Sequence, residues 1–324
     1  MAAPDTRGRV RVPSAPGLAS RRREQPAPSA ASGRVSYQGA TPWLIPLLVV
    51  VTLFYLWPAI QALRFSFTDA SLLRDQFDYG LTSYQRVLPS PSFLFVVRIT
   101  LVFVLASIFF QLSLGLGVAL AVQHGVRNRL PGTAIARTLV LSSWVMPGVI
   151  IGIIWQIVLS GASYGLANSM LATIGISPVG FLSTTNMALG SVIVANIWRG
   201  TAFSMILQYA GLQSIDPVLY EAAAVDGASK WQSFWRVTLP SLRPILMVNL
   251  VLISIQTFNT FDMVLALTGG GPGRATEVLA LRTFNMIFRN FSLGQGSVLA
   301  VVMLALSLSF ALLYVRLLRT EERL

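Results

Sequence analysis

Cysteine is absent from this chain of 324 residues, and histidine and lysine each occur once. The absence of cysteine excludes disulfides, iron–sulfur clusters and a thiol nucleophile. His124 alone cannot build a histidine-based metal site, so we predict no metal site. Lys230 follows Ala228 and Ser229, whereas a phosphate-binding loop needs Gly-Lys followed by Ser or Thr. We therefore predict no catalytic residue and no nucleotide site, and any ATP must be bound by another subunit.

Charged side chains are also scarce, at 11% of the chain, while 54% of the residues are hydrophobic. The mean hydropathy of +0.67 is far above that of a soluble domain and indicates a multi-span membrane protein. The net charge of +12 comes almost entirely from arginine. We interpret these arginines as membrane-topology signals, and we predict no nucleic-acid partner.

Residues 1–40 are rich in Pro, Ser, Gly, Ala and Arg and show no periodicity. This composition predicts a disordered basic cytoplasmic tail. Arg21-Arg22-Arg23 is the one feature that suggests a twin-arginine export signal. Such a signal needs an apolar run close behind it, and none follows for about twenty residues.

Residues 41–320 contain six apolar runs long enough to span a bilayer, which needs about 20 residues each. The chain is therefore predicted to be an all-α polytopic membrane protein with six transmembrane helices. Most of the basic residues fall in alternate connections, which places both termini and the 213–243 connection in the cytoplasm. The predicted spans are 43–66, 93–123, 137–160, 186–212, 244–267 and 296–318.

The fourth connection is polar and carries the stretch EAAAVDGASKWQSFWRVTLP at positions 221–240. Asp216-Pro217 predicts a helix start, and Gly227 predicts its end. Ser229 is expected to cap a second helix, Lys230 to Val237, that Leu239-Pro240 ends. Exposed aromatic residues beside a face of small residues predict either a helical segment that docks into a groove of another protein or a helix pair that lies on the lipid headgroups.

The spacing of this stretch resembles the EAA loop of ABC importer permeases, assigned here to residues 214–243. The pattern is Glu-Ala-Ala, three intervening residues, Gly, nine intervening residues, an aliphatic residue, one intervening residue and Leu-Pro. Here Gly227, Val237 and Leu239-Pro240 follow Glu221 at this spacing. In that family the loop docks into a cleft on the ATPase subunit and transmits its closure to the membrane helices. The resemblance implies coupling roles for Glu221, Ala222, Ala223, Asp226, Gly227, Leu239 and Pro240.

Two flanking stretches, Asn196 to Ala223 and Phe258 to Leu279, resemble carbohydrate-uptake permeases of the maltose and glycerol-phosphate type. The chain ends without a C-terminal extension, like the F-type half of such systems. The resemblance implies a bacterial inner-membrane subunit that imports a di- or oligosaccharide and has no enzymatic activity. The implied partners are a G-type permease, a dimer of ATP-binding subunits that carries ATP and Mg, and an extracytoplasmic solute-binding protein.

Polar side chains inside spans are costly and mark pathways by default. The resemblance places the substrate at Asn196, Gly200, Thr257 and Asn259. Arg199 is expected to pair with Asp262, to line the pore or to bind an anionic sugar. For each polar residue, hydrogen bonding between helices is the competing interpretation, and Gln111 is interpreted as a helix-packing residue.

Three other functions are weighed against sugar import. An ion-driven transporter needs acidic relays at membrane depth, but Asp262 is the only acid in a predicted span and is expected near its outer end. A membrane-embedded enzyme needs a catalytic set of side chains that the spans lack. An ABC importer permease for glycerol-3-phosphate or another non-sugar solute is the remaining alternative.

Overall fold

The computed structural model describes residues 41–162 and 164–321, so the predicted tail at 1–40 lies outside the described residues. Among the described residues, those up to 52 and those from 53 onward form two separate units, and the boundary falls within the first apolar helix. Twelve helical segments are described: α1 Trp43–Ser66, α2 Thr82–Val87, α3 Pro91–Arg127, α4 Thr133–Val145, α5 Gly148–Val158, α6 Leu166–Thr173, α7 Thr185–Gln213, α8 Pro217–Val225, α9 Lys230–Phe258, α10 Asp262–Thr268, α11 Leu279–Phe284 and α12 Leu293–Glu321.

Five of these helices are long and apolar enough to cross a membrane, or six if the bent pair α4 and α5 counts as one span. The all-α prediction is confirmed, and four predicted spans coincide with α1, α3, α7 and α12. The described residues include three π-helical turns. Thr52–Leu56 lies within α1, Phe234–Thr238 lies within α9, and Asn285–Arg289 directly follows α11.

The third predicted span, 137–160, is wrong as a single helix. The chain forms α4 and α5, which meet at an angle of 108°. Pro147 explains the break, because proline lacks an amide hydrogen and forces the preceding residue out of the helical region. Met146 accordingly adopts an extended conformation, with φ −69° and ψ 135°.

The fifth predicted span, 244–267, is also wrong at both ends. Helix α9 begins at Lys230 and ends at Phe258, and the last predicted turns form the separate helix α10. Leu239-Pro240 does not end the helix before it. A π turn, Phe234–Thr238, precedes this dipeptide, and Pro240 lies in the first turn of the α-helical part, where its missing amide hydrogen costs little.

Helix α10 packs against α5, and glycine makes that approach possible. A Cβ on Gly152 would lie 2.6 Å from Ala266 Cβ and 2.7 Å from the Met263 carbonyl oxygen. A Cβ on Gly148 would overlap the Asp262 carboxylate. The two short helices therefore fit together where two predicted spans break.

Helices α3 and α7 pack along each other at the centre of the second unit. A Cβ on Gly115 of α3 would lie 2.6 Å from Ser204 Cβ of α7. Phe103, Val192 and Ile253 are fully buried in the apolar core that α3, α7 and α9 share. This core fixes the helix faces that carry the site described next.

Candidate functional site

A cavity of about 570 Å³ lies where α3, α4, α7 and the broken end of α9 meet. The six residues predicted for the substrate pathway all line this one cavity, although they come from two stretches of chain far apart in sequence. The lining comprises Gln111, Trp144, Asn196, Arg199, Gly200, Gln256, Thr257, Asn259, Thr260, Phe261 and Asp262.

The α7 wall of the cavity is held by a side chain from α3. Gln111 Nε2 donates to the Asn196 backbone oxygen at 3.0 Å, and Gln111 is buried. Gly200 lies directly against the Gln111 amide, where any Cβ would overlap it. Gln111 is therefore a packing residue, as expected from the sequence, and also part of the cavity lining.

Asn196 is 3% exposed, and its Nδ2 has no hydrogen-bond partner among the described residues. A buried amide hydrogen without an acceptor costs roughly 1–3 kcal/mol. Because Asn196 lines the cavity, this donor is available to a ligand or to water that occupies it.

Arg199 and Asp262 form a long ion pair across the cavity, with 4.0 Å between Nη1 and Oδ1. Both side chains keep about a third of their surface exposed. Of the three expectations for Arg199, the structure shows the pairing with Asp262, and Arg199 also lines the cavity. Asp262 lies four residues beyond Phe258, the end of α9, and is the first residue of α10.

The α9 wall consists of hydroxyl and amide groups at the helix end. Asn259 Nδ2 donates to the Ile255 carbonyl oxygen at 2.7 Å, and Thr260 Oγ1 donates to the Gln256 carbonyl oxygen at 3.0 Å. Thr257 is buried beside them. The helix break thus brings several polar groups together at one edge of the cavity.

Two aromatic residues complete the lining, and the sequence analysis missed both. Trp144 lies in the last turn of α4, and its ring centroid is 5.6 Å from that of Phe203. Phe261 stacks on Phe284 at 5.3 Å with an interplanar angle of 22°. Trp144 could have been predicted to line the cavity only if Pro147 had first been recognised as the end of a helix.

The predicted coupling segment, residues 214–243, forms two helices around a tight turn. Asp216 Oδ1 accepts from the Val218 amide at 2.9 Å, as expected for the start of α8. Gly227 has φ +77°, which glycine adopts without the steric cost of a Cβ. Ser229 and Gln232 form a capping box that starts α9.

A groove of about 360 Å³ lies between α8 and the start of α9. Four of the predicted coupling residues line it, Ala222, Ala223, Asp226 and Gly227, whereas Glu221 is exposed outside it. Leu239 and Pro240 also lie outside the groove, at the beginning of the α-helical part of α9. The remaining lining is Leu219, Ala228, Gln232, Ser233, Arg236 and Val237.

Tyr220 connects this segment to two long helices. Its hydroxyl lies 3.0 Å from Thr238 Oγ1 of α9, and the Arg127 guanidinium at the end of α3 lies 5.8 Å from its ring centroid. Trp231 and Trp235 remain largely exposed and pack edge to face at 5.5 Å. The segment is therefore fixed at its base and presents an apolar surface beyond it.

Residues 112–321 match the protein family described as binding-protein-dependent transport system inner membrane component. The chain is 36% identical over 274 residues to the trehalose/maltose transport system permease protein of Thermococcus litoralis, which covers 84% of this chain and 91% of that relative. It is 34% identical over 267 residues to the sn-glycerol-3-phosphate transport system permease protein of Brucella abortus, with 81% and 88% covered.

The fold is similar to that of a solved structure described as a bacterial ABC transporter involved in the import of the acidic polysaccharide alginate. The TM-score is 0.75 at 24% sequence identity, and the likeness covers 88% of this chain and 96% of that chain. At this identity the likeness concerns the arrangement of helices.

Proposed function

Because the chain belongs to the family of binding-protein-dependent transport system inner membrane components, we propose that it forms one membrane-spanning half of an ATP-driven importer for a neutral sugar, a di- or oligosaccharide. The family consists of multi-pass ABC transporter permeases, which are not themselves catalytic. A separate ATPase subunit supplies the hydrolysis in this proposal.

The observation that carries the sugar assignment is the chemistry of the cavity lining. Amide and hydroxyl groups from Asn196, Thr257 and Asn259 can exchange hydrogen bonds with sugar hydroxyls. Trp144 and Phe261 offer aromatic faces for the C–H side of a sugar ring. A volume of about 570 Å³ lies within the range of roughly 300–1,000 Å³ found for small-molecule sites.

The charge balance of the cavity favours a neutral solute. Arg199 and Asp262 are its two charged residues, and they lie close enough to compensate each other. A phosphate or carboxylate ligand would have to compete with Asp262 for the guanidinium. The alternative, a permease for glycerol-3-phosphate as named for the Brucella relative, requires that Arg199 leave Asp262 when the solute binds.

The coupling segment supports an ATP-driven mechanism. In this proposal the segment that carries Ala222, Ala223 and Gly227 docks into a cleft on one subunit of the ATPase dimer, which holds ATP and Mg, and both termini lie on the same cytoplasmic side. Closure of that dimer moves α8, and Tyr220 passes the motion to α3 and α9. A second, G-type permease completes the pathway, and an extracytoplasmic solute-binding protein delivers the sugar.

The proposal is tested by reconstituting the chain with its second permease, ATPase and binding protein in proteoliposomes. ATP hydrolysis is measured with neutral di- and oligosaccharides, with monosaccharides and with glycerol-3-phosphate. We expect stimulation by one neutral sugar, and we expect Glu221→Lys to abolish it without preventing membrane insertion. Stimulation by glycerol-3-phosphate alone would overturn the neutral-sugar assignment, and failure of the ATPase to copurify would overturn the coupling assignment.

A further inference from the structure

A third pocket, of about 120 Å³, lies at the opposite end of α3 from the coupling segment. Its lining includes Ser92 and Phe93 in the first turn of α3, whereas Arg127 at the last turn contacts Tyr220. Since α3 has 37 residues, the two ends are about 55 Å apart. This pocket is separate from the central cavity and shares no lining residue with it.

Arginine side chains from two different elements line this pocket. Arg86 comes from α2 and Arg282 from α11, and Gln295 of α12 also lines the pocket. Neither the Arg86 side chain nor the Gln295 side chain has a hydrogen-bond or ion-pair partner within residues 41–162 and 164–321. The pocket therefore offers donors that nothing in the described chain uses.

The local charges do not balance. Glu277 is buried and accepts from Arg274 at 2.7 Å, and it lies 3.5 Å from Arg282 Nη1. The pocket lining itself contains two arginines, Arg86 and Arg282, and no carboxylate. Arg274 also donates through Nη1 to Ser92 Oγ at 3.0 Å, while its buried Nη2 has no acceptor among the described residues.

The floor of the pocket is apolar. Phe93, Met286 and Leu299 line it, and they belong to a buried cluster that α11 and α12 share with the start of α3. A surplus of guanidinium donors above an apolar floor matches an oxyanion that is attached to a hydrocarbon chain. The planar guanidinium of arginine binds phosphate oxygens through two parallel hydrogen bonds.

We propose that the pocket of Arg86, Arg282 and Gln295 binds a phosphate-type anion, held bidentately by arginine, and that an anionic phospholipid supplies it. The guanidinium groups take the phosphate oxygens, and the acyl region contacts the partly exposed ring of Phe93. A free inorganic anion shares the phosphate chemistry but not the apolar contact. The site is independent of the transported solute and of the coupling segment.

Native mass spectrometry of the full-length chain in its assembled complex tests the site. Lipid retention is measured after addition of phosphatidylglycerol or phosphatidylcholine, each with and without excess inorganic phosphate. Arg86→Gln is the test variant, because an exposed side chain without a partner can change without disturbing the fold. Arg74→Gln, an exposed arginine in the 67–81 connection, is the matched charge control.

We expect the wild type to retain phosphatidylglycerol in preference to phosphatidylcholine, and Arg86→Gln to weaken that retention by about ten-fold, while Arg74→Gln leaves it unchanged. Gln295→Leu is expected to weaken it by a smaller factor. Displacement of the lipid by inorganic phosphate would assign the site to free anions. Equal retention of both lipids, or equal loss in both arginine variants, would overturn the proposal.

Discussion

Arg199 Nη1 lies 4.0 Å from Asp262 Oδ1, and this pair joins the middle of α7 to the first residue of α10 across the cavity. Two predicted spans therefore meet through opposite charges at the point where one of them breaks. Since both side chains are about one third exposed, the pair contributes about 1 kcal/mol or less to stability. Its main consequence is a cavity wall without net charge.

Asp262→Asn is expected to change solute selectivity more than stability. The uncompensated Arg199 should attract anions, so glycerol-3-phosphate should inhibit uptake of the neutral sugar more strongly than it does in the wild type. Competition uptake in proteoliposomes measures the effect. Asp75→Asn, at an exposed position, removes the same charge elsewhere. Identical inhibition in the two variants would show that Asp262 does not set the charge of the pathway.

Gly200→Ala is expected to impair transport because the new methyl group overlaps the Gln111 amide. Displacing Gln111 breaks its 3.0 Å hydrogen bond to the Asn196 carbonyl and costs about 1–3 kcal/mol through overpacking. Gly190→Ala lies on the same helix with open space around it and serves as the control. The thermal unfolding temperature and the rate of sugar uptake should decrease in Gly200→Ala and not in Gly190→Ala. Equal values in the two variants would contradict the packing argument.

Gly227→Ala separates backbone strain from coupling. Gly227 and Gly132 have φ of +77° and +83°, and neither has a neighbour near its missing Cβ. Alanine at either position costs about 1–2 kcal/mol for the left-handed conformation. We expect similar losses of thermal stability in the two variants but a loss of sugar-stimulated ATP hydrolysis only in Gly227→Ala. If Gly132→Ala also lost sugar-stimulated ATP hydrolysis, backbone strain alone would explain the effect of Gly227→Ala.

Tyr220→Phe tests how motion of α8 reaches the long helices. The change removes the 3.0 Å contact to Thr238 and keeps the ring beside Arg127. We expect a loss of about 1 kcal/mol in stability and a lower ratio of sugar uptake to ATP hydrolysis. Thr238→Val should have the same effect, and the double variant should be no worse than either single variant.

Tyr164→Phe, at an exposed tyrosine, is the control for loss of a hydroxyl. Additive effects of Tyr220→Phe and Thr238→Val would mean that the two hydroxyls act separately. That result would remove the proposed connection between α8 and α9.

The coupling segment was largely predictable because its signals are local. Asp216 and Gly227 act through their own backbone geometry, so the sequence alone places the start and end of α8. The long apolar helices were predictable for a similar reason, since hydropathy reports length and composition directly. Whether the predicted coupling residues contact an ATPase stays a prediction.

The broken helices were harder to predict because tertiary contacts decide them. Residues 244–267 form one apolar run by hydropathy, but α9 ends at Phe258. The separate helix α10 then packs against glycines of α5. Pro147 was the one local signal for the break between α4 and α5. Trp144 and Phe261 join the cavity only because of these breaks, so no spacing rule could have found them.

The most direct test of the central claim uses the absence of cysteine from the chain. Asn259→Cys places a single thiol in the cavity lining, and Gln76→Cys places one on an exposed connection as a reference. Membrane-impermeant thiol reagents are applied to either side of proteoliposomes that contain the complete complex. Labelling is measured without nucleotide and with a non-hydrolysable ATP analogue plus the binding protein.

We predict that Asn259→Cys reacts from the cytoplasmic side without nucleotide and from the opposite side when the analogue is bound, and that the transported sugar protects it. Gln76→Cys should react from one side in both states. Labelling of Asn259→Cys from the same side in both states would contradict alternating access through this cavity.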